Sequence, residues 1–285
     1  GDWAVRVLAQ RNRFLCSAAQ VGDLELLDEL SSLGAAGDSR PDAVGLQRAL
    51  VHFWRGEWTF ARDQIEAAVR RARPGWWYGT HQGFLVILHA YSGDHAQACA
   101  LLDGERSTLP RPGALNTYGA WHLAILAAEG MGAAGDAARA RLLYPLLVEA
   151  LATGTVTRAY DGRLVQTSAA MAAATAGLPE QAEAHFEIAL EQADQLPHVI
   201  ERPHVRHFYA RFLSERDGAG DHDRARRFVD QAIADFRRIG MPRHEAMSRD
   251  LRARLGTRDG GAVPSPTDLV GRAQPRRPVT EGRQA

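Results

Sequence analysis

Hydrophobic positions recur along the chain at helical spacing, in segments of 11 to 19 residues separated by short breaks with Gly, Pro and Asp. The pattern predicts helices near 2–20, 23–33, 41–55, 58–72, 76–92, 95–107, 114–131, 136–152, 158–176, 179–195, 202–217, 222–239 and 243–255. No stretch keeps a period of two, so no sheet is expected. Residues 256–285 differ: they are rich in Gly, Pro and Arg without apolar periodicity. That composition predicts a disordered tail behind a helical domain over 1–255.

A repeat underlies the pattern. Gly22, Gly56, Gly93, Gly135, Gly177 and Gly220 fall at comparable places, 34 to 43 residues apart. Five residues after the last five come Ala61, Ala98, Ala140, Ala182 and Ala225; Leu27 stands there in the first unit. Nine residues on are Ser31, Ile65, Leu102, Tyr144, Phe186 and Val229. Twelve on, Ala68, Ala189 and Ala232 restore a small residue. Glycine accepts the positive φ that turns one helix into the next. Alanine lets paired helices approach, and the bulky residue one turn later fills the gap between them.

Glycine, alanine at +5, an aromatic or aliphatic at +9 and alanine at +12, followed by proline, resemble the tetratricopeptide repeat. Gly177, Ala182, Phe186 and Ala189 carry the resemblance best, followed by Gly56, Ala61, Ala68 and Pro74. It implies an all-α right-handed superhelix of about six antiparallel helical hairpins plus a capping helix. Over residues 114–242, the runs AARARLLYPLLVEAL, GLPEQAEAHFEIALEQA and ARFLSERDGAGDHDRARRFVDQAIADFRRIGMP are similar to one kind of tail. It is the repeat region at the C-terminal end of bacterial AAA-ATPase-linked adenylate or guanylate cyclases and of LuxR-type regulators. That resemblance implies cyclase or ATPase modules upstream. The first residue, Gly1 rather than methionine, fits an excised piece of a longer protein.

Composition narrows the chemistry. All 34 basic residues are arginine, so no reaction needing a lysine amine can run on this chain, the P-loop phosphate lysine included. Thirty-four acids balance them to a formal net charge of zero. That balance argues against a dedicated nucleic-acid binder, although residues 201–285 carry 18 Arg against 12 acids. Two cysteines, Cys16 and Cys99, are too few for a disulfide framework. No apolar run is long enough for a membrane span and no signal pattern opens the chain, so the expected compartment is the cytoplasm.

Chemistry-bearing clusters are sparse. His198, His204 and His207 gather in one stretch, and His95 with Cys99 sits at i, i+4, but neither set is completed by further ligands, so no metal and no cofactor are expected. Trp76, Trp77 and Tyr78 follow an arginine run and read as a helix-start anchor between repeats. Arg224, Arg226, Arg227, Arg237, Arg238, Arg243, Arg249, Arg252 and Arg254 are interleaved with acids and read as a solvated outer face. No catalytic motif is present: there is no G-x-S-x-G, and His244–Glu245 lacks the second histidine of H-E-x-x-H. The expectation is a non-catalytic interaction or effector-sensing module of a bacterial regulator. Its partner would be a protein or peptide segment, or ATPase or cyclase modules upstream in the same chain, with no membrane partner. The alternative is the C-terminal fragment of a multidomain adenylate or guanylate cyclase or ATPase whose catalytic domains lie upstream. In a superhelix the first helix of each pair lines a concave groove, and the groove positions expected on that ground are His122, Glu129, Thr167, Met171, His207 and Ser214.

Overall fold

The alternation of apolar stripes and glycine turns becomes eleven α-helices in the computed structural model, which describes residues 41–196 and 198–259. They are α1 (Pro41–Trp54), α2 (Trp58–Arg71), α3 (Thr80–Tyr91), α4 (His95–Gly104), α5 (Tyr118–Ala134), α6 (Ala137–Ala152), α7 (Val165–Thr175), α8 (Pro179–Gln195), α9 (Glu201–Arg216), α10 (Asp221–Ile239) and α11 (Pro242–Asp259). Among the described residues there is no strand, only an isolated bridge between Thr157 and Leu164. The helices predicted at 2–20 and 23–33, with the first glycine unit, lie outside the described residues.

Each turn glycine of the five described units has a left-handed φ, between +75° and +85°. The alanines five residues on (Ala61, Ala98, Ala140, Ala182 and Ala225) are completely buried. Ile65, Leu102, Phe186 and Val229 follow them into the core, while Tyr144 is half-buried. Ala189 and Ala232 are buried twelve residues on, and Ala68 is half-buried. In α10 the buried residues Ala225, Val229, Ala232, Phe236 and Ile239 repeat at steps of four and three, so one stripe faces inward, and all five arginines lie off it.

The odd-numbered helices form one layer and the even-numbered helices a second. α3 packs on α5 and α5 on α7, while α2, α4, α6, α8 and α10 each pack against the odd helices on either side in sequence. Helix α5 is therefore surrounded and buried along nearly its whole length, from Gly119 to Gly132. Its glycines permit that approach: a Cβ on Gly119 would stand 2.0 Å from the Tyr78 carbonyl oxygen, and one on Gly83 would stand 2.8 Å from Leu126.

Three departures from the expected boundaries matter. The predicted helix over 158–176 starts only at Val165. Residues 155–164 instead make a tight turn, with Tyr160 and Gly162 at positive φ and the Arg158 amide donating to the Arg163 carbonyl. The predicted helix over 76–92 starts at Thr80, because Gly79 at φ +106° breaks it. Helix α11 runs through Asp259, so the first four residues of the expected tail are helical; residues 260–285 lie outside the described residues.

The ends of the described chain meet. Helix α11 contacts α9 and α1 as well as α10. The α1–α2 turn at Gly56 leaves no room for a side chain, since a Cβ there would lie 2.8 Å from Cγ of Arg243. Arg243 in turn lies over the Trp58 ring, 5.1 Å from its centroid.

Candidate functional site

Glu129 anchors a buried ionic network. It projects from buried α5 and is 1% exposed. Its Oε1 accepts from the Tyr91 hydroxyl of α3 at 2.8 Å and from Arg163 Nη1 at 3.0 Å, and its Oε2 accepts from Arg158 Nη1 at 2.6 Å. Arg158 also forks onto Asp161, with Nε donating at 2.9 Å and Nη2 at 2.7 Å to Oδ2. Arg163 reaches from Nε to Oε2 of Glu201 in α9, whose other oxygen accepts from the Thr167 hydroxyl of α7. Three carboxylates and two guanidiniums, all buried, thus tie α3, α5, α7, α9 and the 155–164 turn together.

Burial alone raises the Glu129 pKa, but the two guanidiniums and the Tyr91 hydroxyl outweigh it and hold the carboxyl down at about 2. The same burial, reinforced by the Glu129 charge, pushes the Tyr91 phenol well above its usual value. Burial opposes the charge on Arg158 and Arg163, yet their carboxylate partners keep both firmly protonated. A proton donor or acceptor working near neutral pH needs a poised group. Glu129 stays ionised and the arginines stay charged, so these groups hold helices together rather than move protons.

A second polar cluster lies where the chain ends meet. His244 of α11 is 2% exposed, and its ring stands 5.1 Å from Phe53 of α1, 5.9 Å from Trp58 of α2, 5.6 Å from Tyr91 of α3, 4.9 Å from His204 of α9 and 5.5 Å from Phe236 of α10. Neither of its ring nitrogens has a hydrogen-bond partner. His204 donates Nδ1 to the Ile200 carbonyl at 2.9 Å and leaves Nε2 unpartnered. His207 meets the Ser248 hydroxyl of α11 at 2.9 Å. Burial, then the nearby Arg163 charge, holds His204 well below the usual imidazole range. Burial with Arg163 brings His244 to about 3, and burial with Arg211 and Arg254 brings His207 to about 3. All three rings are neutral at neutral pH.

These positions correct the expected groove. His122, Glu129, Thr167, Met171 and His207 do face the odd-helix layer, but each is buried, and Ser214 is half-buried with its hydroxyl on the Arg211 carbonyl. Glu129 and Thr167 share the ionic network, and His207 belongs to the joint with α11. His122 lies apart, with Nδ1 3.3 Å from the Thr80 hydroxyl and its ring against Phe84. Met171 borders a crevice of only about 20 Å³ beside Gly132 and Phe208. Side chains from the facing helices and α11 fill the space that an open groove would offer.

The other candidates also separate. His95 is exposed, while the Cys99 thiol donates to Asp136 and is pushed up mainly by burial. His198 bonds to the Gly162 carbonyl. Among the described residues, no group of three or more His, Cys, Asp and Glu is arranged to hold a metal ion. Trp77 packs on Tyr118 and Tyr160, anchoring the 155–164 turn, whereas Trp76 is 59% exposed. The arginines of α10 and α11 engage acids: Arg224 pairs with Glu183 and Glu187, Arg237 and Arg249 with Glu245, and Arg252 with Asp230.

The residues that build the centre went unread in the sequence: Arg158, Asp161, Arg163, Glu201 and Tyr91. The Asp161–Gly162 pair is a turn signal that marks the segment as non-helical. Nothing local announces that its arginines fold inward.

A surface recess lies beside α5. The loop between α4 and α5 and the turn before α3 enclose about 320 Å³, bordered by Pro74, Tyr78, Thr108, Arg111, Leu115 and Asn116. Leu115 is fully exposed at its rim. Asn116 locks the loop by accepting from the Arg111 amide and donating to the Arg111 and Ala114 carbonyls, each at 2.9 Å.

In comparison with known proteins, no family model matches the chain and no curated protein matches it. Among the described residues, no helix is long and apolar enough to cross a membrane.

Proposed function

We propose that the chain is a non-catalytic interaction module of the tetratricopeptide-like kind, belonging to a signalling or transcription regulator, that binds a protein or peptide segment. The observation that carries this reading is the regular series of hairpins turned at Gly56, Gly93, Gly135, Gly177 and Gly220, whose buried carboxylates are each paired with a guanidinium. Arrays of such hairpins act by presenting surface, and here the surface is the outside. The recess between α4 and α5, with Leu115 and Trp76 exposed beside it, fits an extended segment bearing an apolar side chain. ATPase or cyclase modules of the same protein, or a separate regulator, would supply that segment.

Partner capture by the purified chain, followed by titration calorimetry, tests the reading. Binding should be saturable, should weaken at least about tenfold in a Leu115→Ser/Trp76→Ser variant, and should occur without nucleotide turnover. Turnover by the chain alone, or binding untouched by both substitutions, would overturn the reading and its surface respectively.

A further inference from the structure

His244 sits where a pairable group ordinarily would not. A buried polar side chain nearly always has hydrogen-bond partners, yet both imidazole nitrogens of His244 have none, and rings from α1, α2, α3, α9 and α10 surround it. Phenylalanine would fill such a box with no polar cost. What histidine adds is the capacity to take a proton. Its place is equally specific: α11 meets the first hairpin through this ring, the Arg243–Trp58 stack and the Gly56 turn.

We propose that His244 makes the joint between α11 and helices α1 to α3 a proton-released clasp, in which one proton on its imidazole frees α11 while the ionic centre around Glu129 stays closed. The groups facing the ring explain why the protonated form is rejected. From α1, α2 and α10 come only Phe53, Trp58 and Phe236, which offer no carboxylate. From α9 come His204 and, further off, His207. The 155–164 turn contributes Arg163, a fixed positive charge. Tyr91 of α3 commits its hydroxyl to Glu129. The Glu129 carboxylate of α5 is the one attractive charge acting on the ring, and Arg158 and Arg163 already neutralise it. On α11 itself, Glu245 pairs with Arg237 and Arg249, and Arg243 adds a further positive charge over Trp58.

Opening moves the ring into water, where it takes up a proton readily. The clasp therefore holds at neutral pH and weakens as pH falls below the ordinary imidazole value of about 6.5. Glu129 gives up its pairing only below the ordinary carboxylate range, so a window between about pH 6.5 and 4.5 acts on the joint and spares the ionic centre.

Hydrogen exchange followed by mass spectrometry, corrected for intrinsic rates, reads this on the full chain between pH 7 and 5. The opening equilibrium of α11 and of the α1–α2 hairpin should rise at least roughly tenfold per pH unit below 6.5, with α5 unchanged. In His244→Phe, which keeps a ring in the box, the dependence should fall by roughly one factor of ten per pH unit, and what remains belongs to His204 and His207 beside it. Equal loss of protection in every helix of the wild-type chain would overturn the proposal, even if the variant failed to fold. So would an unchanged acid response in His244→Phe.

Discussion

The ionic centre and the histidine joint are both buried and both titratable, yet they handle burial in opposite ways. Around Glu129 every carboxylate is matched to a guanidinium. Around His244 the ring is neutral and unpartnered, held among aromatics. A buried charge is tolerated when paired, and removing one partner is costly. A buried neutral imidazole costs less but becomes a liability as soon as a proton is available. The first arrangement fixes the relative positions of α5, α7 and α9. The second leaves the contact between the chain's two described ends conditional on pH.

Substitutions that cross this divide should have effects of graded size. Replacing Glu129 with Leu takes one of two carboxylate partners from both Arg158 and Arg163 in the core and should cost about 3–5 kcal/mol in urea unfolding at pH 7, or abolish folding. Arg163→Met sharpens the comparison because Arg163 serves both regions. It should cost about 2–4 kcal/mol at pH 7 by leaving Glu201 and Glu129 each short of a donor. It should also flatten the acid response, since Arg163 lies behind the lowered pKa of both His204 and His244.

His244→Phe separates the regions most cleanly. At pH 7 its stability should stay within about 1 kcal/mol of wild type, as no hydrogen bond is lost. Below pH 6.5 the wild-type chain should lose about 1.4 kcal/mol per pH unit through this residue, a share absent from the variant, which keeps only that of His204 and His207. The sign follows from the folded pKa of about 3, which lies below the ordinary 6.5: the stabilisation is complete above 6.5 and is lost as pH falls from there toward 3. Arg252→Ala, at the surface pair with Asp230, should change unfolding by less than about 0.5 kcal/mol and leave both regions intact.

Local rules carried much of the fold. Helices predicted at 58–72 and 179–195 appear as Trp58–Arg71 and Pro179–Gln195, because a single apolar stripe and a turn glycine define each. The same rules placed Glu129, Thr167 and His207 on the inner layer. They failed on what that layer meets. Whether an inner face is a groove or a core depends on how far the array curves and whether its ends touch, and those are contacts between residues such as Phe53 and His244, far apart in sequence. The 155–164 turn was missed for a related reason: Arg158 and Arg163 look like surface charges until Glu129 and Glu201, 29 and 38 residues away, are brought to them.

The inner layer is a closed core rather than an open groove, and its histidines report on this directly. In an NMR titration of the imidazole resonances from pH 8 to 5, His204, His207 and His244 should show no inflection near 6.5, remaining neutral for as long as the chain is closed. Ordinary titration near 6.5 by all three would mean that water already reaches these positions, and would contradict the account.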